Sequence, residues 1–281
     1  MALSNPAFSR SPEFSKALAF SSNTTTRGAQ LLRPQPVTLT SEKLDELYGR
    51  PAAGPVETDR MSYEDTIVKT AVSFALLLGG AAIGWLFPVL ALPAALVGFV
   101  LALVNIFKKR PSAALVLLYA AVEGVFVGGI SAILENLFAG IVVQAVLATL
   151  SVFSVTLFLF ASGKIRASAK ATKVFVIAMA GYALYSIVNF GLMVFGGTDG
   201  MFGINSMDIP GTNIPFGVVI GILAILMAAY SLVLDFDFVQ RGVQNGAQRV
   251  FGWRAAFGLV MTVVWLYVEF LRLIALFRGS D

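Results

Sequence analysis

Two residue types are missing altogether: the chain has no cysteine and no histidine. Without cysteine there is no disulfide framework, no thiolate nucleophile and no thiolate-bound metal. Without histidine the usual zinc ligand is gone, and so are the Ser-His and Cys-His pairs of nucleophilic catalysis. Any response to pH near neutrality then falls to Asp and Glu. Charge is also scarce, at 13% of residues against 57% hydrophobic, with a mean hydropathy of +0.82. A soluble domain carries about 25% charge, so water is not the main solvent of this chain. Nor does the amino-terminal region hold an apolar run long enough for the core of a signal peptide.

The apolar residues that are present come in blocks. Seven segments, roughly 70–87, 89–107, 112–134, 137–161, 174–195, 215–238 and 256–277, are each close to the ~20 residues that cross a ~30 Å hydrocarbon core at ~1.5 Å per residue. This predicts an all-α membrane protein, a seven-transmembrane-helix bundle over residues 62–281, preceded by a polar tail over 1–61. Proline marks several boundaries (Pro88, Pro93, Pro111 and Pro215). Only Glu135-Asn136 separates the third and fourth segments, which predicts a tight helical hairpin. Within the tail, Met1 to Pro36 is expected to be disordered, Thr40 to Leu47 to form a short capped helix, and Ser62 to Lys69 to lead into the membrane. Eight basic residues up to Lys69 balance eight acidic ones, so the tail is no polybasic arm and nucleic acid is not an expected partner.

Loop charge predicts orientation. Lys108, Lys109 and Arg110, then Lys164, Arg166, Lys170 and Lys173, then Arg241, Arg249 and Arg254 fall in alternate loops that carry no acid. The opposite loops hold Glu135, Asp199 and Asp208 and no base. The positive-inside rule then makes the amino terminus cytoplasmic and the carboxy terminus external, and the plasma membrane is the simplest site for such a multi-pass chain. Arg278, on the outer side, is expected to snorkel to the headgroups. Three small-residue pairs, Gly80-x-x-x-Gly84, Gly124-x-x-x-Gly128 and Gly217-x-x-x-Gly221, suit close helix contacts, although glycine is common in membrane helices anyway.

Only five charges lie inside the apolar segments: Glu123, Asp235, Asp237, Glu269 and Arg272. An ionised side chain at mid-bilayer costs at least ~2.5–3.5 kcal/mol, so each is a functional candidate. Glu123, mid-way along the third segment, is either a pathway carboxylate or a neutral acid tying helices together. Asp235 and Asp237 are two residues apart, about 200° of helical rotation, so one faces the bundle and the other faces solvent or headgroups. Arg241, four residues beyond Asp237, could pair with it on the same face. Glu269 and Arg272 share a face of the seventh helix and form either a structural ion pair or a site where Glu269 meets a sixth-helix aspartate. Two such carboxylates cannot both stay ionised, which would give a pH switch without histidine. That encounter needs the sixth helix to run past Gln240 or the seventh to start nearer Leu259.

Glu123-Gly124 in the third segment, the Asp237-x-x-Gln240 end of the sixth and Leu266-Tyr267-Val268-Glu269-Phe270-Leu271 in the seventh resemble the Bax inhibitor (TMBIM) family of membrane proteins, with its bacterial YccA-like members. The resemblance covers residues 62–278 and leaves the tail outside. It implies a seven-helix bundle with a central helix, working as a pH-sensitive calcium or cation leak pathway gated by an aspartate dyad. By register Asp237 takes the sixth-helix place, with Asp235 as fallback. Glu269 takes the seventh-helix place, a Glu where the family usually has Asp. Calcium would bind transiently at Asp237 and Glu269. Some members latch the dyad with an arginine, for which Arg110 and Arg272 are candidates. The other expectation is a non-conducting regulator that binds a membrane protease or stress-response partner. No enzymatic activity and no cofactor are expected: the Gly-x-Gly-Asp motif of intramembrane aspartyl proteases is absent, and the seventh helix has no lysine for retinal.

Overall fold

The computed structural model describes residues 59–197, 202–212 and 214–279. By its contacts the chain divides into residues 1–52 and 53–281, and everything described belongs to the second unit. The expected disordered stretch Met1 to Pro36, the short helix Thr40 to Leu47, and Asp199 lie outside the described residues.

Seven helices are long and apolar enough to cross a membrane, and the described residues form no strand. They are α1 Tyr63–Leu86, α2 Ala91–Phe107, α3 Ala113–Leu137, α4 Ile141–Ala161, α5 Ala169–Val194, α6 Phe216–Gln244 and α7 Gly252–Arg278. Each apolar block of the sequence became one helix, but several ends moved. Helix α1 starts seven residues before the expected 70 because the Ser62 hydroxyl caps the Asp65 amide at 3.2 Å, with Glu64 and Asp65 in the positive first turn. Ser168 caps α5 in the same way through the Ala171 amide. Helix α6 runs six residues beyond the expected 238 and α7 starts four residues before 256. Each extension carries a glycine and an arginine (Gly242 and Arg241, Gly252 and Arg254), which interrupt the apolar run.

The α3–α4 hairpin is as tight as expected, but its turn is Phe138 to Gly140, while Glu135-Asn136 belong to the last turn of α3; Gly140 sits in the left-handed region at φ 82° as the cap of α4. Glu135 is not a free loop acid. Its two carboxylate oxygens accept from the Gly140 and Val142 amides at 2.6 and 3.0 Å, occupying donors that the first turn of α4 leaves open.

Helix α7 is the most deeply buried and packs against α1, α3, α4 and α6, which is the central helix implied by the resemblance. Leu266 and Leu271 on it are fully enclosed. Helix α5 lies at the other extreme, packing chiefly on α6 and the turn Gly203–Ser206, with Asn189 its single buried residue. Helices α1 and α3 touch backbone to backbone through two of the small-residue pairs. A Cβ at Gly80 or Gly84 would overlap the Ala121 or Val125 carbonyl, and one at Gly124 or Gly128 would overlap the Leu77 or Ala81 carbonyl. The third pair, Gly217 and Gly221, instead admits α7 side chains, Leu276 and Leu273.

Before α1, Asp59 to Ser62 lies across the α6–α7 loop. The Met61 amide donates to Ala247 and the Arg249 amide to Asp59, and the Met61 side chain is 2% exposed beside Gly242. Behind it, Asp65 receives Lys69 and both Arg249 Nε (2.8 Å) and Nη2 (2.7 Å), while Lys69 also donates to the Arg249 carbonyl. The packed body therefore takes in Asp59 to Met61 as well, ahead of the expected start at 62.

Candidate functional site

One face of α7 carries Gly258, Thr262, Trp265, Glu269 and Arg272, at successive spacings of four, three, four and three residues. Such spacing returns to the same side of a helix every turn, so these residues form one stripe. From Gly258 to Arg272 the stripe rises about 21 Å, some two thirds of a ~30 Å hydrocarbon core.

At its first level α6 supplies the carboxylate. Thr262 Oγ1 donates to Asp235 Oδ2 at 2.7 Å and lies 3.2 Å from Ser231 Oγ. Gly258 leaves room for the acid, since a Cβ there would come within 2.7 Å of Asp235 Oδ1. Among the described residues no base pairs with Asp235. Asp237 points elsewhere: its Oδ2 sits 2.7 Å from Nε of Arg241, whose side chain is 65% exposed. The two aspartates do diverge as their spacing requires, but the inward one is Asp235, the fallback of the family register.

Seven residues further along α7, about 10 Å up its axis, lies a second cluster. Glu269 is 3% exposed. Its Oε2 lies 2.5 Å from Arg272 Nη2, and its Oε1 accepts from Tyr182 of α5 and, at 3.2 Å, from Trp265 Nε1. Arg272 Nη1 is 3.4 Å from the Tyr182 hydroxyl. The Arg272 Nη2 and Glu269 Oε2 atoms are close, yet the N–H groups on Nη2 and Nε find no aligned acceptor, so the pair holds by Coulomb attraction more than by directed bonds. Tyr182 is the main polar tie between the peripheral α5 and the centre.

The expected dyad of Asp237 and Glu269 is therefore not formed. Each acid has its own base, Arg241 and Arg272, and the inward aspartate sits two turns of α7 from Glu269. Helix α6 does pass Gln240, but α7 starts early enough to carry Glu269 deeper. Arg110, the other latch candidate, is exposed. Glu123 is half-buried on α3 against Gly98 of α2, whose added Cβ would come 2.7 Å from Glu123 Oε2, and it has no hydrogen-bond partner among the described residues. It faces a different interface from the stripe. Arg278 Nη1 donates to the Ala139 carbonyl in the α3–α4 turn at 2.8 Å.

Thr262, Ser231, Trp265 and Tyr182 were not anticipated. The 4-3-4-3 spacing on α7 was the available signal, hidden because Thr, Trp and Gly are unremarkable in an apolar helix.

The fold and the stripe now stand beside a match to a family of known sequences. The sequence model described as Bax inhibitor 1 like matches residues 5–279. The chain belongs to that family. The matched stretch opens at residue 5, so Bax inhibitor 1 like sequence includes the tail that the resemblance left outside. No curated protein matches the sequence. In this Bax inhibitor 1 like protein, the three motifs that carried the resemblance fall on α3, α6 and α7, and the α7 motif contributes Glu269 to the polar stripe.

Proposed function

We propose that this Bax inhibitor family protein is a pH-sensitive cation leak pathway in which cations, calcium among them, pass along the polar stripe of α7. The reading rests above all on Asp235: a carboxylate in the membrane-spanning part of α6, bonded by the Thr262 hydroxyl, seated against Gly258 and without a base among the described residues, is an oxygen site that attracts a cation. The Glu269, Arg272 and Tyr182 cluster is the barrier further along. Its positive member opposes a passing cation until Arg272 is drawn aside with Glu269. The acids work as two stations, not as a touching dyad. Ionised Asp235 recruits the cation and protonated Asp235 does not, so flux is higher at pH 8 than at pH 6. In this reading the basic loop ends face the cytoplasm of a cell with its plasma membrane as host, and the protein is not an enzyme.

The test is calcium flux into vesicles reconstituted with purified protein between pH 6 and pH 8. Asp235→Asn lowers flux several-fold and flattens its pH dependence, Glu269→Gln changes flux, and Asp237→Asn leaves it within twofold of the parent. Flux that ignores both Asp235→Asn and Glu269→Gln ends this reading and leaves the non-conducting regulator, which captures a membrane protease or stress partner.

A further inference from the structure

A groove runs along the outside of α7 between α1 and α4. Its lower part, about 660 Å³, is lined by Tyr63, Thr70 and Phe74 of α1, Phe153 and Leu157 of α4 and Gln240 of α6, among others, and floored by Leu259 and Val263. Among the described residues no charged side chain lines it. Ile67 and Leu157 on its lips are exposed, so it opens sideways to the lipid. From Tyr63 to Phe74 it follows α1 for about 16 Å, half of a ~30 Å hydrocarbon core and hence one leaflet.

The mouth is different. Arg166, in the α4–α5 loop, donates through Nη1 to Gln240 and places its guanidinium carbon 4.9 Å from the centre of the Phe160 ring. Gln240 and Phe160 both line the groove. Arg166 is exposed and has no ion-pair partner among the described residues, leaving most of its five donors free. Asp237, the nearest acid on α6, is taken by Arg241. At the far end the groove continues past Phe74, Thr149 and Val263 into a second apolar space of about 580 Å³ that ends at Trp85, Ser131 and Tyr267, with no cation among the described residues that line it.

We infer that this groove seats a phospholipid with an anionic headgroup, its phosphate on Arg166 and Gln240 and an acyl chain along Phe153, Phe74 and Val263. A cation fixed at only one mouth complements a molecule charged at one end. Guanidinium groups are suited to phosphate oxygens, and a base at the membrane surface adds about fivefold in affinity for an anionic lipid. Along the rest of its length the uncharged lining, with Phe153, Phe74 and Val263, suits a flexible hydrocarbon chain.

Native mass spectrometry of delipidated full-length protein, with phosphatidylglycerol and phosphatidylcholine of identical acyl chains in competition, tests this. The parent binds phosphatidylglycerol about fivefold more tightly. Arg166→Ala brings the ratio to about one while phosphatidylcholine still binds, and Ala71→Trp, which fills the groove from α1, weakens both lipids. Equal binding in the parent, or a preference untouched by Arg166→Ala, overturns the assignment. So does a spectrum in which Ala71→Trp converts a dimer to monomer without displacing lipid, since a second copy would then be the occupant. The readout needs no ion flux, so it stands or falls apart from the leak pathway.

Discussion

At Glu269 a charge sits almost fully out of contact with solvent, and Arg272 is its one ionic partner among the described residues. Removing one member of a buried pair strands the other, at about 3–5 kcal/mol, whereas replacing both by apolar residues of similar volume is often neutral or stabilising. Arg272→Met is therefore expected to lower the thermal midpoint in detergent sharply, and Glu269→Leu with Arg272→Met to restore it. If the pair serves only to hold the fold, the double variant keeps the flux of the parent. If it is the barrier, the double variant is stable and its flux is altered, so stability and transport separate. The five intramembrane charges were legible in the sequence because each interrupts an apolar run. Their partners were not. The choice between Asp235 and Asp237 depended on which side of α6 meets Thr262 and Gly258, and that is a property of a neighbouring helix.

Among the elements, α1 and α3 make the closest contact because glycine pairs on each face the other's carbonyls. A side chain at Gly128 would have to displace the Ala81 backbone, which cannot yield as a flexible side chain can. Gly128→Leu is expected to cost at least the ~1–3 kcal/mol typical of overpacking. Gly79→Ala, one position from Gly80 but with nothing within 4 Å of its added Cβ, should leave the thermal midpoint unchanged or slightly raised. A midpoint equally insensitive to both substitutions would contradict the α1–α3 contact. The spacing of the glycines was visible in the sequence, and seven helices followed from the length of the apolar runs. Which glycine pair met which was not, since Gly217 and Gly221 have the same spacing and receive side chains instead. Helices were read short where the extra turns were polar: the close of α6 was set six residues early, and the expected lead-in Ser62 to Lys69 is the cap and opening turns of α1 itself.

For the whole molecule, one end of the bundle is knitted together by segments far apart in sequence. Asp59 to Ser62 lies over Ala247 to Arg249, Asp65 gathers Lys69 and Arg249, and Arg254 donates to the Lys108 carbonyl at 2.5 Å. The residues just before α1 thus fasten the loop that sets α6 against α7, and with it the level at which Asp235 meets Thr262. Asp65 and Lys69, four apart, could have been paired from sequence; Arg249 could not, because nothing local announces a contact across some 180 residues. This locates where a truncation separates tail from body. A chain starting at residue 62 gives up the burial of Met61, worth roughly 1.5–3 kcal/mol. It also gives up two backbone hydrogen bonds at about 1 kcal/mol each. Relative to a chain starting at residue 58, it is expected to be about 3–5 kcal/mol less stable by thermal unfolding in detergent. If Asp235 depends on that fastening for its seat, its flux and the pH dependence of that flux change as well. Equal stability for the two chains would show that the α6–α7 loop holds its place unaided. Loss of partner capture in a chain starting at residue 58, with flux intact, would assign any regulatory contact to the tail itself.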